Sequence, residues 1–355
     1  MGGAPDVVVN LQDRRPIWAF PGWAADELRA AVAANPELGG LHISDSPADG
    51  SGDGVGGPPP DVLEALAGAR IYMGYGIPPA ILAAGGDTLR WVHTGTAGVG
   101  GSLHPAMLER LRRGTLDFTN SAGIHAPPIA ETVLAMLLYF FRGLDFAVRG
   151  GDAARWDPAP YLAADTPVTE LASATVGILG YGGIGREVAR RVRAVGAEVL
   201  GLRRSAPDRS HDELGVRLLH GAAGLETLLA ESDALVVCAP ETDETRGILS
   251  GERLARMPGG SVLINVARGS LIDEPALIEA LRSGHMRGAG LDVFATEPLP
   301  DDSPLWSLKN TLLTPHVSGV SRAFWRREVD LILDNLERFS SGAPLRNRVD
   351  PRVGY

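Results

Sequence analysis

Hydrophobic positions fall into two rhythms along the chain, and the change between them comes near Gly123. Before it, short apolar runs alternate with amphipathic stretches. "RPIWAF", "GLHIS", "ARIYMGYG", "LRWVHTGTAG" and "LDFTNSAG" predict strands, whereas "DELRAAVAA" and "DVLEALAGA" place apolar residues at helical spacing. Residues 44–60, "SDSPADGSGDGVGGPPP", predict a loop that leaves the surface and returns. After Gly123, "PPIAETVLAMLLYFFRGL" is apolar nearly all round, which predicts burial on several sides, one of them against another subunit.

From Thr175 the alternation becomes regular. Strand-like "TVGILG", "AEVLGLR", "ALVVCAP", "SVLINVA", "GAGLDVF" and "TLLTPHV" are separated by helix-like "IGREVARRVRAVG", "GLETLLAES", "SGERLARMP" and "EPALIEALRSG". Strands alternating with helices at this spacing predict a parallel, doubly wound α/β sheet. The closing helix, "AFWRREVDLILDNLERFSSG", is placed to return to the first domain.

Composition narrows the function classes. With 45% hydrophobic and 21% charged residues among 355, the chain reads as an ordinary globular protein with room for two domains. A net charge of −10 leaves no excess of cations to neutralise nucleic-acid phosphates. Cys238 is the one cysteine, so no intramolecular disulfide or cysteine metal cluster is expected, and its apolar run predicts a buried thiol. The start "MGGAPDVVVN" lacks the form of a signal peptide, and Asp6 spoils a myristoylation match. The apolar run from Ile129 to Phe141 is about 13 residues long, too short to span a bilayer. A cytoplasmic protein is the expectation.

The chemistry starts at "GYGGIG", Gly180 to Gly185. In such a motif the first glycine (Gly180) permits a tight turn and the second (Gly182) lets backbone approach a pyrophosphate. The third (Gly185) lets the helix pack on the sheet, and Gly183 and Ile184 open that helix with free amides. A lone match is weak, but this one lies between a predicted strand and a predicted helix, as a dinucleotide fold requires. An acid at the end of the next strand would bind ribose hydroxyls; here Arg203, Arg204 and Ser205 stand instead, a set suited to a 2′-phosphate. NADP(H) is therefore favoured over NAD(H).

Three further segments follow in order: "NVARGSLIDEPAL", "GLDVFATEPLP" and "LLTPHVSG". Together with the glycine motif they closely resemble the D-isomer-specific 2-hydroxyacid dehydrogenases, among them glyoxylate/hydroxypyruvate reductases. The resemblance is strong from Gly123 to Gly319 and weaker before. It implies two Rossmann-like domains, with residues 123–319 binding the dinucleotide and inserted into a substrate domain of residues 1–122 plus 320–355. The active site is expected in the cleft, and the helix from Pro127 to Phe141 as a homodimer surface.

Hydride transfer to a 2-keto acid needs a fixed cation for the carboxylate and a group that gives up a proton near neutral pH. Arg268 and His316, each just past a predicted strand, supply those two chemistries. By resemblance Arg268 binds the keto acid, His316 donates the proton to its carbonyl oxygen, and Glu297 tunes and orients His316. By the same resemblance Asp292 bonds the nicotinamide carboxamide, while Ala239, Pro240, Val266 and Ala267 line the cofactor. The Gly98 and Val99 amides hold the substrate carboxylate. Tyr75 and Gly76 match a substrate-facing loop more loosely, and a core aromatic is an equal reading of Tyr75.

Among the other histidines, His42 and His93 are expected to be packed, His211, His220 and His285 solvated, and His104 and His125 without a role. No metal site is expected. Two departures from the family pattern stand out: Arg203 at the usual aspartate, and "GVG" (Gly98 to Gly100) where Gly-Val-Asp is common. Two alternatives stay open. One is a dinucleotide-sensing, corepressor-like binding protein; the other is a dehydrogenase of another small anion such as formate or phosphite.

Overall fold

The structure, a computed structural model, describes residues 5–47, 57–205 and 209–352. The chain divides into two compact units, Met1–His125 with Val320–Tyr355, and Ala126–Gly319. Each is an α/β layer around a wholly parallel sheet.

In the first unit the strands are β1 (Val7–Asn10), β2 (Leu41–Ile43), β3 (Ile71–Gly74), β4 (Trp91–Thr94) and β5 (Asp117–Asn120), ordered β2-β1-β3-β4-β5. The first strand is thus "VVVN". The expected strand "RPIWAF" is instead a turn, and the difference is physical: Val7, Val8 and Val9 are β-branched and wholly buried, whereas Pro16 interrupts a run that follows the sheet edge. The long C-terminal helix Phe324–Ser341 belongs to this unit, packing on the helix Gly22–Ala34 and ending at Gly342 in the left-handed conformation.

In the second unit the strands are β6 (Thr175–Leu179), β7 (Glu198–Arg203), β8 (Arg217–His220), β9 (Ala234–Val237), β10 (Ser261–Asn265), β11 (Met286–Leu291) and β12 (Thr311–Leu313). Their order is β12-β11-β10-β9-β6-β7-β8. The chain moves outward from β6 through β7 to β8, then returns to lay β9 on the other side of β6. That reversal leaves a crevice beyond the carboxyl ends of β6 and β9, the place where open sheets of this class bind ligands. The helix Ala126–Phe141 buries Val133, Met136, Leu137 and Phe140 within this unit. Its nearly all-round apolar character therefore owes much to its own domain. No helix among the described residues is long and apolar enough to cross a membrane.

A buried ion cluster ties the helix Leu144–Asp152 to the same unit. Asp145, 1% exposed, places Oδ1 2.6 Å from Arg287 Nη2 and Oδ2 3.1 Å from Arg149 Nη2. The Arg287 guanidinium also lies over the Phe146 ring, 4.7 Å from its centre. Deleting the carboxylate strands a largely buried cation, so Asp145→Ala should destabilise the second unit by about 3 kcal/mol. Urea unfolding measures this; a loss below about 1 kcal/mol would show that the aromatic faces alone hold the guanidinium.

Candidate active site

Register aligns the functional loops before any side chain is considered. Leu179 pairs with Leu202 and Val237, Val237 with Asn265, Asn265 with Leu291, and Leu291 with Leu313. These six residues form one row across the sheet. Every segment that follows one of them therefore emerges at the same edge: the glycine motif, Arg203, Ala239, Arg268, Asp292 and His316.

The glycines meet the demands of a dinucleotide cradle. Gly180 has φ +97°, and a Cβ there would lie 2.4 Å from the Ala239 nitrogen, so the turn passes the segment just beyond β9 with no space to spare. A Cβ on Gly185 would lie 2.6 Å from the Gly180 carbonyl oxygen, which closes the helix onto the turn. Gly182 and Gly183 face open space, leaving room for a ligand beside the backbone. The helix Gly183–Ala194 starts there, and its first-turn amides, those of Gly183, Ile184 and Gly185, lack intrahelical acceptors. Pro240 follows Ala239 over the same edge, and Val266 and Ala267 are buried beneath it. Burial pushes the Cys238 thiol up to about 12, so it is not a nucleophile at neutral pH.

At the outer end of this cradle is a cavity of about 310 Å³ lined by Tyr181, Arg186, Arg203, Arg209, Asp212, Glu213 and Leu218. Arg186 pairs with Glu213 and lies 3.6 Å from Asp212, while Arg209 lies 3.3 Å from Glu213. Arg203 lines the cavity without an ion pair among the described residues. Arg204 and Ser205 are exposed beside it. The Tyr181 hydroxyl donates to Asp212 at 2.5 Å, and burial together with that bond pushes its pKa up, keeping the phenol protonated.

Across the other half of the edge, Asn265 ends β10 with both polar atoms of its side chain hydrogen-bonded. It donates to the Arg268 carbonyl at 2.9 Å and accepts from the Ala267 amide at 3.0 Å, shaping the loop that exposes Arg268. The next residue must be glycine, because a Cβ on Gly269 would lie 1.9 Å from the Phe294 carbonyl carbon. Glu297 accepts from the Phe294 amide through Oε1 at 3.0 Å and meets His316 Nδ1 through Oε2 at 2.7 Å. His316 is half exposed and has φ +54°, a left-handed conformation uncommon for residues other than glycine. Its amide donates to the Asp292 carbonyl at 2.9 Å.

Asp292 itself is wholly buried. Its carboxylate accepts from the Thr314 hydroxyl at 2.6 Å and from the amides of Val317 and Ser318 at 2.9 and 3.0 Å. The acid expected at the nicotinamide is thus occupied by the segment that carries His316. Asn265 and Thr314 went unnoticed in the sequence; the signal for Asn265 is a lone amide ending an otherwise apolar run.

In the first unit, the amides of Gly98 and Val99 have no acceptor among the described residues. Tyr75 resolves to the core reading: it is 7% exposed and its hydroxyl donates to the Trp18 carbonyl at 2.7 Å. The Gly76 amide donates to Thr94 Oγ1 at 3.0 Å, so it is taken by the fold. His93 is buried as expected and His42 is half-buried beside Asp61. His285, expected to be solvated, is partly enclosed with a buried Nε2. No group of side chains suited to a metal ion occurs among the described residues.

Residues 134–318 match the family model described as D-isomer specific 2-hydroxyacid dehydrogenase, NAD binding domain. Glyoxylate/hydroxypyruvate reductase B of Pectobacterium carotovorum is 37% identical over 247 residues, 67% of this chain and 75% of that one. Glycerate dehydrogenase of Methylorubrum extorquens is 36% identical over 200 residues, 56% of this chain but only 59% of that enzyme's length. A D-isomer specific 2-hydroxyacid dehydrogenase from Xanthobacter autotrophicus, solved in complex with NADPH and MES, is 32% identical with a TM-score of 0.74, covering 99% of this chain and all of that one.

The Asp292 clamp makes a direct prediction. Replacing Asp292 by Asn sets an NH₂ group against a backbone N–H in either amide orientation. The variant should lose about 2 kcal/mol in urea unfolding. A loss below about 0.5 kcal/mol would mean the His316 segment does not depend on this carboxylate.

Proposed function

Because the chain belongs to the D-isomer-specific 2-hydroxyacid dehydrogenases, we propose that it reduces a small 2-keto acid to the D-2-hydroxy acid with NADPH, glyoxylate or hydroxypyruvate first. The observation that carries this reading is the contact between His316 Nδ1 and Glu297, at the same sheet edge as Arg268. With Nδ1 turned to the carboxylate, Nε2 is the atom left to face a carbonyl oxygen. A protonated ring there gives up its proton as the oxygen gains charge, and the Glu297 carboxylate fixes the orientation of the ring. Arg268 holds the substrate carboxylate with its planar fork. In the first unit, by likeness to the family, the Gly98 and Val99 amides hold a substrate carboxylate.

The residues around Gly180–Gly185 fit a dinucleotide, on the evidence of the Gly180–Ala239 crossing and the open flank of Gly182 and Gly183. When bound there, reduced nicotinamide supplies the hydride. Residues 123–319 are then the cofactor domain, and residues 1–122 with 320–355 the substrate domain. With its carboxylate engaged by residues 314–318, Asp292 serves the nicotinamide chiefly by fixing the loop beside it. Arg203, lining a cavity with no acid paired to it among the described residues, supports the choice of NADPH over NADH. A homodimer is also proposed. Leu144, Val148, Trp156 and Leu162 are exposed on consecutive segments, Trp156 at 95% and Leu162 at 79%.

Nucleotide oxidation should be faster with NADPH than with NADH when glyoxylate or hydroxypyruvate is supplied. In Arg203→Asp the KM for NADPH should rise roughly 10- to 100-fold, as loss of a charge-assisted contact requires. Equal rates with both nucleotides in the wild type would remove Arg203 from phosphate recognition. No turnover of either acid would defeat the substrate assignment. In light scattering, Trp156→Glu should halve the mass of the wild-type protein; a monomeric wild type would end the dimer reading.

A further inference from the structure

The turn Ala97–Val99 is held from behind in a way that bears on the two amides assigned above to the substrate carboxylate. The Ala97 carbonyl accepts from Asn120 Nδ2 at 2.8 Å, and the Gly98 carbonyl accepts from the Thr96 hydroxyl at 2.7 Å. These two carbonyls belong to the peptide groups whose N–H atoms are those of Gly98 and Val99. In a planar trans peptide the C=O and N–H point in opposite directions. Tying each carbonyl to a side chain therefore turns each N–H away from that side chain, and neither has an acceptor among the described residues.

The proton directions can be counted. The Thr96 hydrogen is spent on Gly98, so in the 3.0 Å contact between Thr94 and Thr96 the donor is Thr94. Thr94 Oγ1 in turn accepts the Gly76 N–H. The result is a one-way relay from Gly76 N–H through the Thr94 and Thr96 hydroxyls to the Gly98 carbonyl. Hydrogen bonds in such a chain polarise one another, and a bonded carbonyl makes the N–H of its own peptide a stronger donor.

The inner end is anchored in the core. Ser121 Oγ lies 3.0 Å from the Thr94 carbonyl and 2.9 Å from Glu328 Oε1, which also meets His93 Nε2 at 2.8 Å. His93, Ser121 and Glu328 are wholly buried. Glu328 Oε2 has no hydrogen-bond partner. A buried acid with one unmet oxygen is a poor way to gain stability, since apolar residues of similar volume commonly serve as well or better. Its place behind the relay gives it another use, as a rigid stop.

We propose that Thr96 and Asn120 are positioning residues that orient and polarise the Gly98 and Val99 amides toward a carboxylate, with Thr94 and the Ser121–Glu328–His93 cluster as their fixed backing. This rests on the reading of the site given above. Neither residue touches substrate; each acts through a peptide group.

Thr96→Val keeps the shape and removes the hydroxyl, and Thr96→Ser keeps the hydroxyl. Oxalate, an unreactive dicarboxylate, is titrated into the nucleotide-saturated protein, and glyoxylate kinetics are measured alongside. In Thr96→Val the Kd for oxalate and the KM for glyoxylate should rise about 2- to 10-fold, the worth of one hydrogen bond. The KM for nucleotide should not move, and Thr96→Ser should restore both constants to within about twofold of the wild type. Unchanged oxalate affinity in Thr96→Val, with an active wild type, overturns the inference alone. Equal weakening in Thr96→Ser overturns it too, since the hydroxyl would then be irrelevant. A wild type that neither reduces glyoxylate nor binds oxalate overturns the site reading, and the inference with it.

Discussion

A single enclosed carboxylate governs the working edge of the second unit. Asp292 follows β11 directly, and its oxygens are filled by a hydroxyl and two amides from residues 314–318. Those bonds hold His316 in a left-handed backbone conformation that costs roughly 1 kcal/mol or more for a residue with a Cβ. The ring is thereby delivered to Glu297. The position of the imidazole thus depends on a group at the preceding strand end, adjacent in the sheet.

The second unit was far more legible than the first, and the reasons are physical. From Thr175 six of the seven strands are largely apolar runs, so periodicity gives most of the parallel sheet; the edge strand β8, "RLLH", escapes it because only two apolar residues stand between Arg217 and His220 and neither is fully buried. The motif residues emerge at strand ends, where register brings them together however far apart they are in sequence. In the first unit "RPIWAF" misled, because aromatic and branched residues around Pro16 pack as a turn under the helix Phe324–Ser341. The short run "VVVN" is too brief to show a period. Tyr75 was undecidable from sequence, since a strand-end aromatic can face a ligand or the core, and only the hydroxyl's partner tells them apart. Nothing in sequence spacing could reveal that Asp292 points into the 314–318 segment, or that Thr96 and Asn120 stand behind the turn.

Charge is distributed against the chain's average. A protein of net −10 repels an anionic cofactor at long range, yet the cavity beyond the glycine turn gathers Arg186, Arg203 and Arg209. Asp212 and Glu213 already occupy two of those guanidinium groups, which fixes their positions and removes their pull on stray anions. Among the described residues, Arg203 lines the cavity with no acid paired to it. Selectivity at such a site comes from which positive charge is unspoken for, more than from how many there are.

Gly269 has a bearing on how such a protein can change over generations. With the Phe294 carbonyl where a side chain would begin, the segment bearing Arg268 and the one leading to Glu297 lie backbone against backbone. Neither can drift alone: an insertion or a bulkier residue in one is felt at once in the other. The two stretches are therefore coupled in space, and a change in either must be accommodated by the other. A recombined or engineered descendant that exchanged only one of them would break the seam before it acquired a new specificity.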